Sequence, residues 1–360
     1  MADCPENGPL SSLFPIMSRW ISHWSLHSFF PVLISFGLVA CNTPQQSPGG
    51  TSYYSGNPPA AIPWNPQTGS TSPAPTPAPV DPYYIPSTPL PISSGAPRIR
   101  AESYLLIDAR TGANLASVGA DVHRSVASTQ KLLTALVVLD AGNLDRQVRV
   151  AASDVAVEPT KLGIRPGEVY TRRQLLYAFL IKSCNDVANV LARDNAGSIS
   201  AFAAKMNAKM RSLGGNDSNF RNPHGLTAPG QYSTARNMAR VAMAAYRNQI
   251  IRDAVRRTSF TFRYASGKTA VLKSTNDLLG KMPECNGMKT GYTNAAGRCL
   301  ISSASTGGRN VILVQLGTKT KYIWDDGRLL MSWGLRKMGA RIADTGLPEA
   351  APTLLAMTPR

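Results

Sequence analysis

Residues 128–142 read STQKLLTALVVLDAG. After its first turn this stretch is apolar on nearly all sides, which is typical of a helix buried inside a domain. Ser128 is a residue type favoured at an N-cap, and Gly142 is one favoured at a helix C-terminus. The stretch therefore predicts a buried helix that starts at a serine.

A lysine follows this serine at a spacing that brings the two side chains together. Ser128 and Lys131 are three residues apart, so they share one face of a helix. Burial and neighbouring positive charge lower the pKa of a lysine, and a neutral amine can accept a proton from a serine hydroxyl. The free N–H groups of a helix N-terminus can also bind a developing oxyanion. The pattern predicts a nucleophilic serine with a lysine as its base.

Two further short motifs carry groups that suit the same chemistry. Ser183-Cys184-Asn185 lies at a predicted helix break, where its hydroxyl can relay a proton and its amide can hold a carbonyl. Lys289-Thr290-Gly291 lies on a late predicted strand, where glycine leaves room for a ligand and lysine offers charge to a carboxylate. Each motif alone is expected by chance in a chain of this length. Their order and context are those of penicillin-binding proteins and class A β-lactamases.

Strands are predicted at both ends of the motif-bearing region, with helices between them. The predicted strands cover 103–109, 113–118, 258–264, 268–273, 286–292, 298–305 and 310–317. The predicted helices cover 128–141, 172–182, 186–193, 198–213, 233–248 (capped by Ser233) and 324–339. This order favours an α+β fold with one mainly antiparallel sheet.

From about Ser103 to Leu335 the chain resembles the low-molecular-mass penicillin-binding proteins, specifically the D-alanyl-D-alanine carboxypeptidases. Besides the three motifs, four stretches carry the resemblance: 162–192, NPHGL at 222–226, STNDLL at 274–279 and GMKTGYTNAAGRCL at 287–300. It implies the transpeptidase fold shared by penicillin-binding proteins and β-lactamases. In that fold an antiparallel sheet is flanked by helices, and the active site lies between the sheet and an all-helical lobe.

The resemblance also implies an activity and a role for each motif residue. The expected enzyme is a serine-type D-Ala-D-Ala carboxypeptidase that acts on peptidoglycan stem peptides and is acylated by β-lactam antibiotics. No cofactor and no metal is expected. The implied site comprises Ser128 as nucleophile, Lys131 as proton acceptor, Ser183 and Asn185 as second motif, Lys289, Thr290 and Gly291 as substrate-binding residues, and the backbone N–H groups of Ser128 and Tyr292 as oxyanion hole.

The chain departs from the family pattern at several places. Cys184 stands where relatives usually have a small residue, and Trp324 stands about where many carry an arginine that grips the terminal carboxylate. Lys319, Lys321 and Arg328 are the candidate replacements for that arginine. The small C-terminal β-domain and amphipathic helix of many relatives are not expected here. These departures keep a DD-endopeptidase, which cuts cross-links, open as an alternative.

A β-lactamase and an inactive binding protein fit the residues less well. A class A-like β-lactamase needs a deacylating glutamate after the second motif, and no glutamate lies between Glu168 and Glu284. An inactive wall-binding lipoprotein is disfavoured because every motif position that carries charge or a nucleophile is intact.

Composition and charge narrow the possible partners. The chain has 360 residues, 43% of them hydrophobic, and a formal net charge of +17 that suggests an anionic partner. No zinc-finger spacing, RNA-binding aromatic signature or concentrated basic run is present, so nucleic acid is not expected. The four histidines form no cluster, which argues against a metallohydrolase and a Ser-His-Asp triad. Cys184, Cys285 and Cys299 are interpreted as buried apolar residues, and a Cys285–Cys299 disulfide is not favoured.

The N-terminus is typical of an exported lipoprotein. Residues 29–40 form an apolar run too short for a comfortable transmembrane helix, and Leu38-Val39-Ala40-Cys41 resembles a lipobox. Met17 would be a more typical start. We therefore expect a signal segment at 1–40, a Pro/Ser/Gly-rich tether at 41–98, a catalytic domain at 99–345 and a disordered tail at 346–360. Lipidation of Cys41 would anchor the protein to a membrane on the periplasmic side.

Overall fold

The computed structural model describes residues 95–319 and 321–342. The predicted signal segment, Cys41, nearly all of the tether and the tail lie outside the described residues, so these remain predictions. The strands are β1 (Ser103–Asp108), β2 (Asn114–Val118), β3 (Gln147–Arg149), β4 (Val169–Thr171), β5 (Ser259–Arg263), β6 (Thr269–Lys273), β7 (Cys285–Thr293), β8 (Gly297–Thr306) and β9 (Arg309–Thr318). The helices are α1 (Lys131–Asp140), α2 (Ala152–Val155), α3 (Arg172–Lys182), α4 (Asn185–Ala196), α5 (Ile199–Ser212), α6 (Ala235–Arg247), α7 (Gln249–Val255) and α8 (Ile323–Lys337).

Five strands form one antiparallel sheet in the order β2-β1-β9-β8-β7. The first two strands of the domain thus pair with the last three, as the sequence predicts. Two small two-stranded sheets, β3–β4 and β5–β6, lie outside this sheet. The α+β class is confirmed, and β7 forms one edge of the sheet.

Side chains alternate between the two faces of the sheet, and each face has its own core. On β8, Ile301 belongs to the larger core together with α1, α3, α4 and α6. Its neighbour Leu300 belongs to a smaller core under α8, with Leu313 and Leu330. Strands covered on both faces are buried continuously, which explains the long apolar runs of β8 and β9.

The central helix begins differently from the prediction. A 3-10 turn at Ala127–Gln130 precedes α1, which starts at Lys131, and no side chain caps either segment. Ser128 is therefore not an N-cap, because its hydroxyl is turned to other partners. A smaller correction concerns α6, whose cap is Thr234 and not Ser233: the Thr234 hydroxyl accepts the N–H of Asn237 at 3.0 Å.

The break between α3 and α4 is built by local backbone geometry. Ser183 ends α3 in the left-handed conformation with φ 67°, and α4 begins at Asn185. The buried Asp186 carboxylate accepts the N–H groups of Leu162 and Gly163 at 2.9 and 3.0 Å. This bond set holds the loop before β4 against the start of α4, and so forms one wall of the site.

Within residues 95–319 and 321–342, no helix is both long enough and apolar enough to cross a membrane.

The start of α3 offers a test of the local interactions. The Thr171 hydroxyl accepts the N–H of Gln174 at 3.2 Å, and the Gln174 side chain accepts the N–H of Thr171 at 2.9 Å. We expect Thr171→Ala to lower the free energy of unfolding by about 1 kcal/mol, because this N-cap is lost. Urea denaturation measures the change, with Thr261→Ala at an exposed strand position as control. Equal stability of Thr171→Ala and wild type would contradict the assignment of the cap.

Candidate active site

Lys131 lies at the centre of the site and is completely buried. Its Nζ lies 2.7 Å from Ser128 Oγ, 2.7 Å from Asn185 Oδ1 and 2.6 Å from the backbone carbonyl oxygen of His224. These three partners come from the 3-10 turn, from α4 and from the loop before α6. The Lys131 amine thus contacts residues of both the first and the second sequence motif, as the order of the motifs predicts.

The protonation of Lys131 is shifted by its surroundings. Burial, followed by the positive charge of Lys289, holds the pKa of the Lys131 amine well below its ordinary value. Cys184 and Asp186 act in the opposite direction. A neutral amine beside a serine hydroxyl is the state that a general base requires.

The Ser128 hydroxyl is positioned by a loop whose role the sequence did not reveal. Ser128 Oγ lies 3.2 Å from the carbonyl of His224, which also accepts from Lys131. Gly225 follows at φ +89°, and a Cβ there would lie 2.1 Å from the carbonyl oxygen of Ala127. Only glycine allows this approach. The NPHGL stretch at 222–226 had carried part of the resemblance, but its carbonyl contribution to the site is visible only in three dimensions.

The His224 imidazole is not part of this arrangement. Burial, followed by the Lys131 charge, lowers the pKa of His224 to about 3, so the ring stays neutral. Its Nδ1 accepts the N–H of Leu226 at 3.2 Å. His224 thus contributes its backbone carbonyl to the site and not its ring. The sequence likewise argues against a Ser-His-Asp triad.

The second motif places one side chain on the cleft and fixes another. Ser183 lines the cleft at the end of α3. The Asn185 amide is held at both ends, because its Oδ1 accepts from Lys131 and its Nδ2 donates to the carbonyls of Glu158 and Pro159 at 3.0 and 2.9 Å. The geometry shows Asn185 linking the lysine to the opposite loop.

Cys184, the unusual middle residue of this motif, points away from the cleft. It is fully buried, and burial raises the pKa of its thiol to about 12. It therefore behaves as the small apolar residue that the sequence predicts. The three cysteines of the described region are free thiols.

The third motif lies on the edge strand β7. The Lys289 side chain is 1% exposed, and its Nζ donates to the carbonyl of Thr290 at 2.8 Å. Burial lowers the pKa of Lys289 to about 7. The Thr290 hydroxyl is 2.6 Å from that of Thr275, which belongs to the STNDLL stretch. Lys289 is thus a second amine with a lowered pKa, and its positive charge in turn lowers the pKa of Lys131.

Gly291 brings the edge strand against the turn that bears Ser128. A Cβ at this position would lie 2.8 Å from the backbone nitrogen of Ser128 and 3.0 Å from Ala127 Cβ. Any side chain would push β7 away from the turn that bears Ser128. The close approach lets the backbone of Tyr292, the next residue, share one cleft with Ser128.

The motifs surround a cleft of about 370 Å³. Six predicted site residues line it: Ser128, Ser183, Asn185, Thr290, Gly291 and Tyr292. Lys131 and Lys289 are almost fully buried behind the residues that line the cleft. Its remaining walls come from the loop at Pro159 and Thr160, from Leu226 and Thr275, and from Arg298, Cys299, Ile323 and Trp324.

The residues suggested as replacements for the missing arginine are not on this wall. Lys319 lies 3.5 Å from Glu102, and Arg328 lies 3.9 Å from Asp325. Lys321 lies beside the ring of Tyr322. Trp324 does line the cleft, where the resemblance places it, and the cation on the wall is Arg298 instead. Sequence reasoning missed Arg298 because pairing between β7 and β8 brings it there.

No group of three or more histidine, cysteine, aspartate or glutamate side chains that could hold a metal ion occurs within the described residues.

Comparison with known proteins agrees with the geometry. The profile of the peptidase family described as D-alanyl-D-alanine carboxypeptidase matches residues 91–320. The D-alanyl-D-alanine carboxypeptidase DacB2 of Mycobacterium tuberculosis is 34% identical over 240 residues, which cover 65% of this chain and 82% of the relative. DacA of Escherichia coli is 31% identical over 255 residues, 67% of this chain, and this chain spans only 62% of that protein.

Solved structures show the same fold. The crystal structure of the Streptomyces K15 DD-transpeptidase superposes with a TM-score of 0.64 at 30% sequence identity. The match covers 67% of this chain and 98% of that one. The penicillin-binding transpeptidase fold expected from the motifs is thereby confirmed.

The lowered pKa of Lys289 has a measurable effect on stability. The unfolded lysine keeps its proton up to about pH 10.4, whereas the folded one loses it above about 7. Between these values the unfolded chain binds more protons, so the free energy of unfolding rises with pH by about 1.4 kcal/mol per unit. Below about pH 7 this contribution is absent.

We therefore expect wild type to gain stability over Lys289→Met as the pH is raised from about 7.5 to about 9.5. Urea denaturation at several pH values measures the difference. The exposed Lys273→Met should show a difference that does not depend on pH. A difference for Lys289→Met that is equally flat would show that Lys289 titrates at its ordinary pKa.

Proposed function

Because this chain belongs to the D-alanyl-D-alanine carboxypeptidase family, a family of serine peptidases, we propose that Ser128 and Lys131 carry its reaction on peptidoglycan stem peptides. Ser128 Oγ attacks the carbonyl carbon of the penultimate D-Ala while Lys131 Nζ takes the hydroxyl proton. The amide C–N bond breaks, the departing D-Ala amine takes a proton, and an acyl-enzyme remains. Water then cleaves the ester and restores Ser128.

One observation carries this proposal: the 2.7 Å contact between the Lys131 amine and the Ser128 hydroxyl in a buried place. Burial and the charge of Lys289 hold the pKa of Lys131 well below its ordinary value, which favours the neutral amine that a base requires. No carboxylate contacts Ser128 Oγ in the described part of the chain, since its partners there are Lys131 and the His224 carbonyl. Lys131 is therefore the base that geometry favours.

The remaining motif residues bind the substrate in this proposal. The backbone N–H groups of Ser128 and Tyr292 form the oxyanion hole, which is supported by the tight contact that Gly291 permits. Ser183, which lies on the cleft wall, relays a proton. Asn185, whose amide is fixed from both sides, orients Lys131 through its Oδ1. Lys289, Thr290 and Gly291 form the strand on which the peptide lies.

β-Lactams imitate the D-Ala-D-Ala end of the peptide, and we propose that they acylate Ser128. A class A β-lactamase releases such an adduct with a glutamate. Among the residues on the cleft wall no glutamate or aspartate occurs within the described region. The penicilloyl ester should accordingly be long-lived.

The site of action follows from the family and from the N-terminal sequence. A cell-wall enzyme of this family acts outside the cytoplasm. We propose that the protein is exported and held on the periplasmic side of a membrane by lipid on Cys41. The Pro-rich tether at 42–98 then gives the catalytic domain reach into the wall.

The first test combines turnover with mass spectrometry. We expect wild type to release D-Ala from a pentapeptide stem and to gain one penicilloyl mass on the peptide that contains Ser128. Ser128→Ala should lose both, and Lys131→Ala should slow acylation more than tenfold (~1.4 kcal/mol) because no other base is close. Circular dichroism confirms that both variants are folded.

Three outcomes would contradict the proposal. An adduct on another residue would remove Ser128 as nucleophile. Acylation of Lys131→Ala within about tenfold of wild type would remove Lys131 as base. Cleavage of cross-linked dimers without release of D-Ala from the pentapeptide would indicate the endopeptidase instead.

The second test concerns the anchor. A thioether-linked diacylglycerol holds a protein firmly, because each buried CH₂ contributes about 0.8 kcal/mol. Wild type should therefore stay with the membrane after a high-salt wash, whereas Cys41→Ala should not. Cys4→Ala is the matched control and should behave as wild type. Equal retention of the Cys41→Ala protein would mean that charge or an uncleaved apolar segment holds the chain.

A further inference from the structure

Arg298 is the cation on the cleft wall, and no part of the motif argument assigned it a role. It lies on β8 directly opposite Tyr292 of β7. The carbon at the centre of its guanidinium group is 5.8 Å from the centroid of the Tyr292 ring. Both side chains are exposed, and both line the cleft that contains Ser128.

Within the described residues no carboxylate forms an ion pair with the Arg298 guanidinium. The other side chains on the cleft wall in that region carry no charge. Lys131 and Lys289 are buried behind the residues that line the cleft, and Lys289 is largely neutral above about pH 7 because burial lowers its pKa. Arg298 therefore gives the cleft wall a positive charge.

The sheet geometry puts this charge beside the third motif. Along β7, Gly291 faces the turn that bears Ser128, so Thr290 and Tyr292 point to the other face. Paired residues share a face, so Arg298 projects on the side of Thr290 and Tyr292. A peptide lying along β7 with its scissile carbonyl at Ser128 would thus meet a hydroxyl and a guanidinium on one side.

The residues around Arg298 strengthen the attraction between its guanidinium and an anion. Ile323 and Trp324, at the start of α8, form an apolar flank of the same cleft. The guanidinium lies 5.8 Å from the centroid of the Tyr292 ring, within the range of a cation–π contact. A carboxylate that displaces water here gains charge-assisted hydrogen bonds, which are stronger than neutral ones.

We propose that Arg298 binds the terminal carboxylate of the substrate and so selects peptides with a free C-terminus. The inference rests on the proposed carboxypeptidase reaction and adds its specificity determinant. The residue touches substrate but takes no part in proton transfer. A free carboxylate is present on a D-Ala-D-Ala terminus and also on a penicillin, so both ligands test it.

The experiment compares ligands that differ only in this carboxylate. Wild type, Arg298→Gln and Arg298→Lys are assayed with diacetyl-Lys-D-Ala-D-Ala, and their acylation by benzylpenicillin and by its methyl ester is followed by intact mass. The control is Arg309→Gln. Arg309 is exposed and lies on β9, beside the end of β8 that is far from Arg298.

We expect Arg298→Gln to lower kcat/KM for the peptide at least about tenfold, mainly through KM, and to slow acylation by benzylpenicillin similarly. Acylation by the methyl ester should stay within about twofold of wild type. Arg298→Lys should recover part of the loss, and Arg309→Gln should equal wild type.

Two results would overturn the role of Arg298. One is an equal loss with acid and ester, which would indicate a structural effect; the other is no loss with the acids. Failure of wild type to release D-Ala would instead count against the proposed reaction. In that case the ratio of penicillin to methyl ester acylation would still decide on Arg298.

Discussion

The structure depends on the burial of two lysine amines where the sheet edge meets the helices. Lys131 contacts three oxygen atoms, and Lys289 contacts the carbonyl of Thr290, the next residue on its own strand. Desolvation disfavours the charged form of each amine, and a charge on Lys289 further disfavours a charge on Lys131. The core that surrounds them is thus also the source of basicity, because a solvated amine would keep its proton at neutral pH.

Particular backbone conformations and close contacts make this burial possible. Gly225 and Gly291 let two loops and a strand close around Ser128 at distances that any side chain would prevent. The left-handed Ser183 ends one helix so that Asn185 can begin the next and reach the lysine. The site is therefore assembled from segments far apart in the chain, and each contributes backbone atoms as well as side chains. This explains why single motifs are weak signals while their combination is strong.

Much of this arrangement follows from the sequence. The apolar run of the buried helix, the three motifs and the strand order predict the fold class and the residues that meet at the cleft. The two-stranded sheet β3–β4 was missed because its strands have three residues each, with only Val148 and Tyr170 buried. The His224 carbonyl and Arg298 were missed for a different reason. Backbone acceptors leave no mark in a sequence, and cross-strand neighbours depend on register.

The burial of Cys184 and Cys299 has a consequence for the proposed export to an oxidising compartment. Burial raises the pKa of Cys184 to about 12 and that of Cys299 to about 11, so almost no thiolate forms at neutral pH. Since disulfide exchange and peroxide attack require the thiolate, both sulfurs are inert while the fold is intact. The tight packing around the nucleophile thus protects neighbouring sulfur atoms from chemical damage. Cys285, the third thiol of the described region, is only partly buried, so this protection covers two of the three sulfur atoms there.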